Sequence, residues 1–115
     1  MSKDDLVYVK DIYDCIVKID KFLDAISLED FAGNDEKQDA VIRNYEVMGE
    51  AVSRIKNEYK LANANVPWRN IKSMRNFLIH NYDEVDIKLI YKSAKKDLTP
   101  LKSALEILLN ANTKK

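Results

Sequence analysis

The chain holds little that would turn it. Its 115 residues include two glycines and two prolines, too few for the repeated tight turns of an all-β fold. Cys15 is the one cysteine, so no internal disulfide can form, which fits a reducing compartment. His80 is the one histidine, and one His with one Cys cannot build a His/Cys zinc site within a chain. Gly33 and Gly49 stand alone, so no glycine-rich loop cradles a phosphate. No apolar run approaches the length of a bilayer span, and Met1-Ser2-Lys3-Asp4-Asp5 lacks the basic-then-apolar layout of a signal peptide. These absences lead us to expect a cytoplasmic protein with no membrane contact, no metal and no cofactor.

Hydrophobic residues make up 46% and charged residues 33%, the balance of a folded chain. A chain of this length builds one core, so residues 1–115 read as a single domain. Lysines and arginines equal aspartates and glutamates at 19 each, yet they are unevenly placed. Residues 1–39 hold 5 basic and 11 acidic side chains, residues 43–75 hold 7 and 3, and residues 76–115 hold 7 and 5. The middle therefore offers a local basic patch on a chain that is no general polyanion binder.

Apolar residues recur at helical spacing. Val9, Ile12, Ile16, Ile19, Leu23 and Ile26 make one face of a first helix. Ser2, Asp4 and Asp5 supply capping and acidic groups near its start. Ser27-Leu28-Glu29-Asp30 reads as a capped short turn before Ala32-Gly33-Asn34. A second long helix is expected from Asn34 or Asp35 to about Asn63, with Val41, Tyr45, Met48, Val52, Ile55 and Tyr59 inward. Pro67 and Trp68 open a third. The last starts near Asp86 and buries Ile87, Ile90, Ala94, Leu98, Leu101, Leu105 and Leu108, with a kink expected at Pro100. The expected fold is all-α: an up-down antiparallel bundle of four main helices plus a short helix or turn. Apolar surface left over in so small a bundle favours a homodimer.

Chemistry concentrates in Arg75-Asn76-Phe77-Leu78-Ile79-His80-Asn81-Tyr82. Singly, such residues usually cap, pack or face solvent; their clustering is what draws notice. Cleaving RNA without a metal takes a base for the 2′-hydroxyl, a cation for the crowded phosphate and an acid for the departing 5′-oxygen. Histidine suits proton transfer near neutral pH, and the arginine fork grips two phosphate oxygens at once. Asn76 lies four residues before His80, where its amide can orient the imidazole on an unbroken helix. Arg75 and His80, five apart, would point about 140° away from each other on such a helix. Either the helix ends between them or a second copy completes the site; a combination of both is expected, with the helix ending at Asn81-Tyr82-Asp83. Asp83, Glu84 and Asp86 suit turn and cap duties better than a metal.

Arg75-x-x-x-x-His80-x-Tyr82 resembles the signature of HEPN-domain ribonucleases, specifically HepT-like toxins paired with minimal nucleotidyltransferase antitoxins. The likeness extends to Asp39 through Ala51, where Arg-Asn and Gly-Glu-Ala recur, to Val66-Pro67-Trp68 with Ile71, and to Asp97-Leu98-Thr99-Pro100-Leu101. It covers roughly residues 5–108. The resemblance implies a dimeric, metal-independent endoribonuclease, the toxin of a type VII-like toxin–antitoxin system, with Arg75 and His80 catalytic. It also implies that the antitoxin silences the toxin by attaching AMP to Tyr82. Asn76 and Tyr82 would support the site, and Arg43, Arg69 and Lys72 are candidate contacts for the RNA backbone.

The alternative is a non-catalytic helical module that binds a nucleotide or a nucleotidyltransferase. Four further residues raise their own questions. Glu46 and Glu50 read as surface carboxylates, with contact to Arg75 the less expected role. Gly49 sits inside a helix, where it costs about 1 kcal/mol relative to Ala unless another helix approaches closely. Trp68 is expected to cover the bundle end, with base stacking as the alternative.

Overall fold

The computed structural model describes residues 3–80 and 87–113, and the side chains of residues 5–76 and 87–111. Among them are six helices and no strand: α1 (Lys3–Leu23), α2 (Leu28–Ala32), α3 (Asp35–Arg54), α4 (Asn57–Ala62), α5 (Trp68–His80) and α6 (Ile87–Thr113). The fold is all-α, and α1, α3, α5 and α6 are the four long members. No helix among the described residues is long and apolar enough to cross a membrane.

Local chemistry sets most of the boundaries. The Ser27 hydroxyl accepts from Asp30 N–H at 3.0 Å and starts α2, and Gly33 closes it. Asn34 Oδ1 accepts from Lys37 N–H at 3.0 Å and starts α3. Asp35 and Glu36 occupy the first turn of α3 and Arg54 its last, the order that the helix dipole favours. Pro67 precedes α5, and its carbonyl accepts from Asn70 and Ile71 N–H. α6 continues through Pro100 as one helix.

Two ends differ from the expectation. α1 stops at Leu23, so Ile26, expected on its face, lies beyond it. The second long helix does not run to Asn63: it ends at Arg54, and Ile55 is extended (φ −76°, ψ 135°) before α4 begins. The cause is Asp5, which is 3% exposed. Its Oδ1 accepts from Lys56 N–H at 3.1 Å, taking the place of the carbonyl that an unbroken helix would have offered. Asp5 thus serves the start of α4 across the bundle, a different task from the dipole role expected of it.

The core is the predicted one apart from Ile26 and Ile87, which are only partly buried. Val9, Ile12, Ile16, Ile19 and Leu23 of α1 are buried, as are Val41, Tyr45, Met48 and Val52 of α3 and Ile90, Ala94, Leu98, Leu101, Leu105 and Leu108 of α6. Ile55 and Tyr59 remain inward although the helix breaks between them. Phe31 of α2 is fully buried and packs near Tyr91, ring centroids 5.8 Å apart. α3 lies between α1 and α5, and α1 also packs on α6. The Cα trace measures 45 × 29 × 20 Å, so about two helix layers span the short axis.

Candidate active site

The placement of α3 between α1 and α5 creates a cleft of about 310 Å³. Its floor comes from one stripe of α3, with Arg43, Glu46, Glu50 and Arg54 at helical spacing. Tyr8 and Asp11 of α1 form one wall and Arg75 of α5 the other.

Arg75 is held by its stem. A Cβ added to Gly49 would lie under 3.0 Å from Arg75 Cβ, Cγ and Nε, so the arginine crosses α3 where only a hydrogen fits. That close approach accounts for a glycine inside a helix, where it is otherwise unfavourable by about 1 kcal/mol. The Arg75 side chain is 20% exposed, and its Nη2 lies 3.9 Å from Glu50 Oε2. Glu50 Oε1 is 3.3 Å from Arg54 Nη2. One carboxylate therefore lies between two guanidinium groups, and Arg75 Nε is buried without a hydrogen-bond partner. At 3.9 Å the Arg75–Glu50 pair is too long for a good hydrogen bond. The result is a partly desolvated cation that lines the cleft and is paired to its carboxylate only at long range, a setting that favours an oxyanion reaching the outer guanidinium nitrogens.

Glu50 is exposed, as expected of a surface carboxylate, and it also lies within ion-pair range of Arg75, the less expected of its two readings. Glu46 instead lies 3.8 Å from Arg43. Arg43 and Arg75 line the same cleft. Arg69 and Lys72 line another, bounded by α4 and the first half of α5. Trp68 is 7% exposed, donates Nε1–H to Asn63 O at 3.1 Å and packs beside Tyr59. It covers the bundle end, and its burial removes it as a base-stacking platform.

α5 runs unbroken through His80, so the helix does not end between Arg75 and His80. The two positions are about 140° apart around one helix axis. Asn76 is exposed, one turn before His80 on the same helix. The His80 side chain and all of Asn81, Tyr82, Asp83, Glu84 and Asp86 lie outside the described residues. The expected helix end at Asn81-Tyr82-Asp83 and cap at Asp86 lie there too.

The stripe on α3, Gly49 and Arg75 all lie within a stretch that matches a known family. The Ribonuclease HepT-like family matches residues 12–108. The chain is 40% identical over 101 residues to a "Probable ribonuclease HepT" of Thermococcus cleftensis, covering 88% of this chain and 92% of that protein. It is 35% identical over 109 residues to a candidate RNase of Methanocaldococcus jannaschii, covering 94% and 100%. A candidate RNase of Caldanaerobacter subterraneus is 33% identical over 84 residues, with 73% and 75% covered. No solved structure matches the chain. This helical protein belongs to the HepT-like family of HEPN-domain proteins.

Proposed function

We propose that this chain is a metal-independent endoribonuclease and the toxin of a type VII-like toxin–antitoxin pair. The observation that carries this reading is the setting of Arg75, clamped against Gly49 with its guanidinium lining a cleft and its carboxylate partner 3.9 Å away. The ribonuclease names of the similar proteins agree with it.

Arg75 binds the scissile phosphate and stabilises the charge that gathers on it in the pentacoordinate transition state. His80 takes the proton from the 2′-hydroxyl, whose oxygen attacks phosphorus, and the 5′-oxygen leaves with a proton from a general acid. Asn76 steadies the imidazole. Because Arg75 and His80 diverge on one helix, a homodimer completes the site by bringing the His80 end of one α5 to the Arg75 cleft of the second copy. Arg43 shares that cleft and contacts the RNA backbone, as do Arg69 and Lys72 further along α5.

Silencing follows the same electrostatics. A nucleotidyltransferase antitoxin transfers AMP from ATP to the Tyr82 oxygen with release of pyrophosphate. The adduct sets a negative phosphate two residues from His80, where an RNA phosphate has to bind. Both reactions belong in the cytoplasm, where RNA and ATP are found.

The chemistry is tested by the sugar. An all-ribose oligonucleotide should be cut, and the same sequence with 2′-deoxy sugars should remain intact. Equal cutting of both would contradict attack by the 2′-oxygen.

A further inference from the structure

The second cleft, of about 720 Å³, takes Lys60 from α4 and Arg69 and Lys72 from α5, with Asn57, Leu61 and Trp68 among its other lining residues. No acidic side chain among the described residues lines it. None of its three cations has an ion-pair partner among the described residues. Lys10, Arg43, Arg54 and Lys102 each have a carboxylate within 4.0 Å, whereas Lys18 and Lys21 of α1, like the cleft cations, have none among the described residues. What sets the cleft apart is that its cations share one concave surface. Lys60 is held below its ordinary pKa by burial and by the charge of Lys72, so the two ammonium groups feel each other. Like charges that share a cleft repel one another, and an anion that joins them relieves the repulsion.

The helix register extends the cleft toward the motif. At 100° per residue, positions 69, 72, 76 and 80 of α5 fall within about 80° of one face, and position 80 is about 16 Å from position 69 along the axis. Arg69, Lys72 and Asn76 are all exposed on it. Leu61 is 79% exposed and lines the cleft, offering an apolar surface beside the charges.

We infer that the Lys60–Arg69–Lys72 cleft is a second RNA-binding site, which holds the phosphodiester backbone of a single strand a few nucleotides from the bond being cut. The inference rests on the ribonuclease reading and adds Lys60, on a separate helix, to the strand's path. A concave cationic cleft with an apolar surface suits a single strand, whose backbone meets the charges while its bases remain free to pack. The strand runs along the exposed face of α5 from the His80 end to the gap between α4 and α5.

The test uses an uncleavable 2′-O-methyl RNA oligonucleotide and follows its binding by fluorescence anisotropy across a salt series. Lys60→Ala/Lys72→Ala should weaken binding roughly tenfold at low salt and flatten the slope of log K against log salt by about 1.4, the value for two lost phosphate contacts on a single strand. Lys18→Ala/Lys21→Ala on α1 removes the same charge elsewhere and should leave the slope unchanged. Circular dichroism should show both double variants folded. An unchanged slope in Lys60→Ala/Lys72→Ala, or an equal loss in the α1 variant, would overturn the inference. Because this oligonucleotide is never cut, a failure of cleavage on ordinary RNA would count against the nuclease reading alone.

Discussion

Gly49 of α3 touches the stem of Arg75 of α5 so closely that no side chain fits between them. The contact fixes where the guanidinium can point. Gly49→Ala should therefore push Arg75 out of its cleft. RNA cleavage is expected to fall at least tenfold, roughly what a loss of about 1.4 kcal/mol of transition-state stabilisation brings. The gain of about 1 kcal/mol in helix propensity should be offset by overpacking of about 1–3 kcal/mol, so chemical denaturation should show no net stabilisation. A variant both more stable and fully active would contradict the role given to this contact.

Glu50 balances Arg75 and Arg54 from an exposed position, its side chain 57% accessible. Exposed pairs of this kind contribute about 0–1 kcal/mol, so Glu50→Gln should change stability little. Its carboxylate also opposes any phosphate that approaches Arg75. Glu50→Gln is expected to bind uncleavable RNA several-fold more tightly at low salt, and the difference should shrink as salt rises. Weaker binding would mean that Glu50 positions Arg75 rather than competing with RNA for it.

Cys15 is 4% exposed, and burial pushes its thiol from 9.0 up to about 11. Between these values the unfolded chain has lost a proton that the native chain keeps, so stability falls as pH rises. The contribution is complete below about pH 9 and is gone above pH 11, a change on the order of 2–3 kcal/mol. Urea denaturation at pH 8, 9 and 10 should show the decline, and Cys15→Ala should make it shallower. An identical decline in Cys15→Ala would contradict this assignment, because Tyr45, whose phenol burial raises from 10.0 to about 12, contributes only from about pH 10 upward.

Co-expression with the partner nucleotidyltransferase should add mass to the chain in AMP-sized steps. Intact-protein mass spectrometry should find those steps absent in Tyr82→Phe. If they persist, another hydroxyl is the acceptor.

The long helices were legible because their faces are periodic: Val9 to Leu23 and Ile90 to Leu108 are buried as the spacing requires. The break after Arg54 was not, because Val52, Ile55 and Tyr59 keep the phase of one helix across it. What divides α3 from α4 is the Asp5 carboxylate, 51 residues away in sequence, and no local pattern carries that. Without the break α4 has no identity, so Lys60 passed unnoticed while Arg69 and Lys72, on the clearly marked α5, were singled out. Gly49 announced itself as a glycine inside a helix, but its partner depends on how α3 and α5 cross. Which of the two expected roles Glu50 takes depends on the same crossing: it is an exposed carboxylate that also comes within 3.9 Å of Arg75. Its neighbour four residues on, Arg54, and the adjacent Gly49 were the local signals that it faced a site.

The most direct test incubates wild type, Arg75→Ala and His80→Ala with a mixed RNA substrate in excess EDTA and reads the products on a denaturing gel. Wild type is first shown by mass to carry no adduct at Tyr82. The account predicts fragments from wild type and intact RNA from both variants. Intact RNA in the wild-type lane, or undiminished cleavage by a folded Arg75→Ala or His80→Ala, would contradict it.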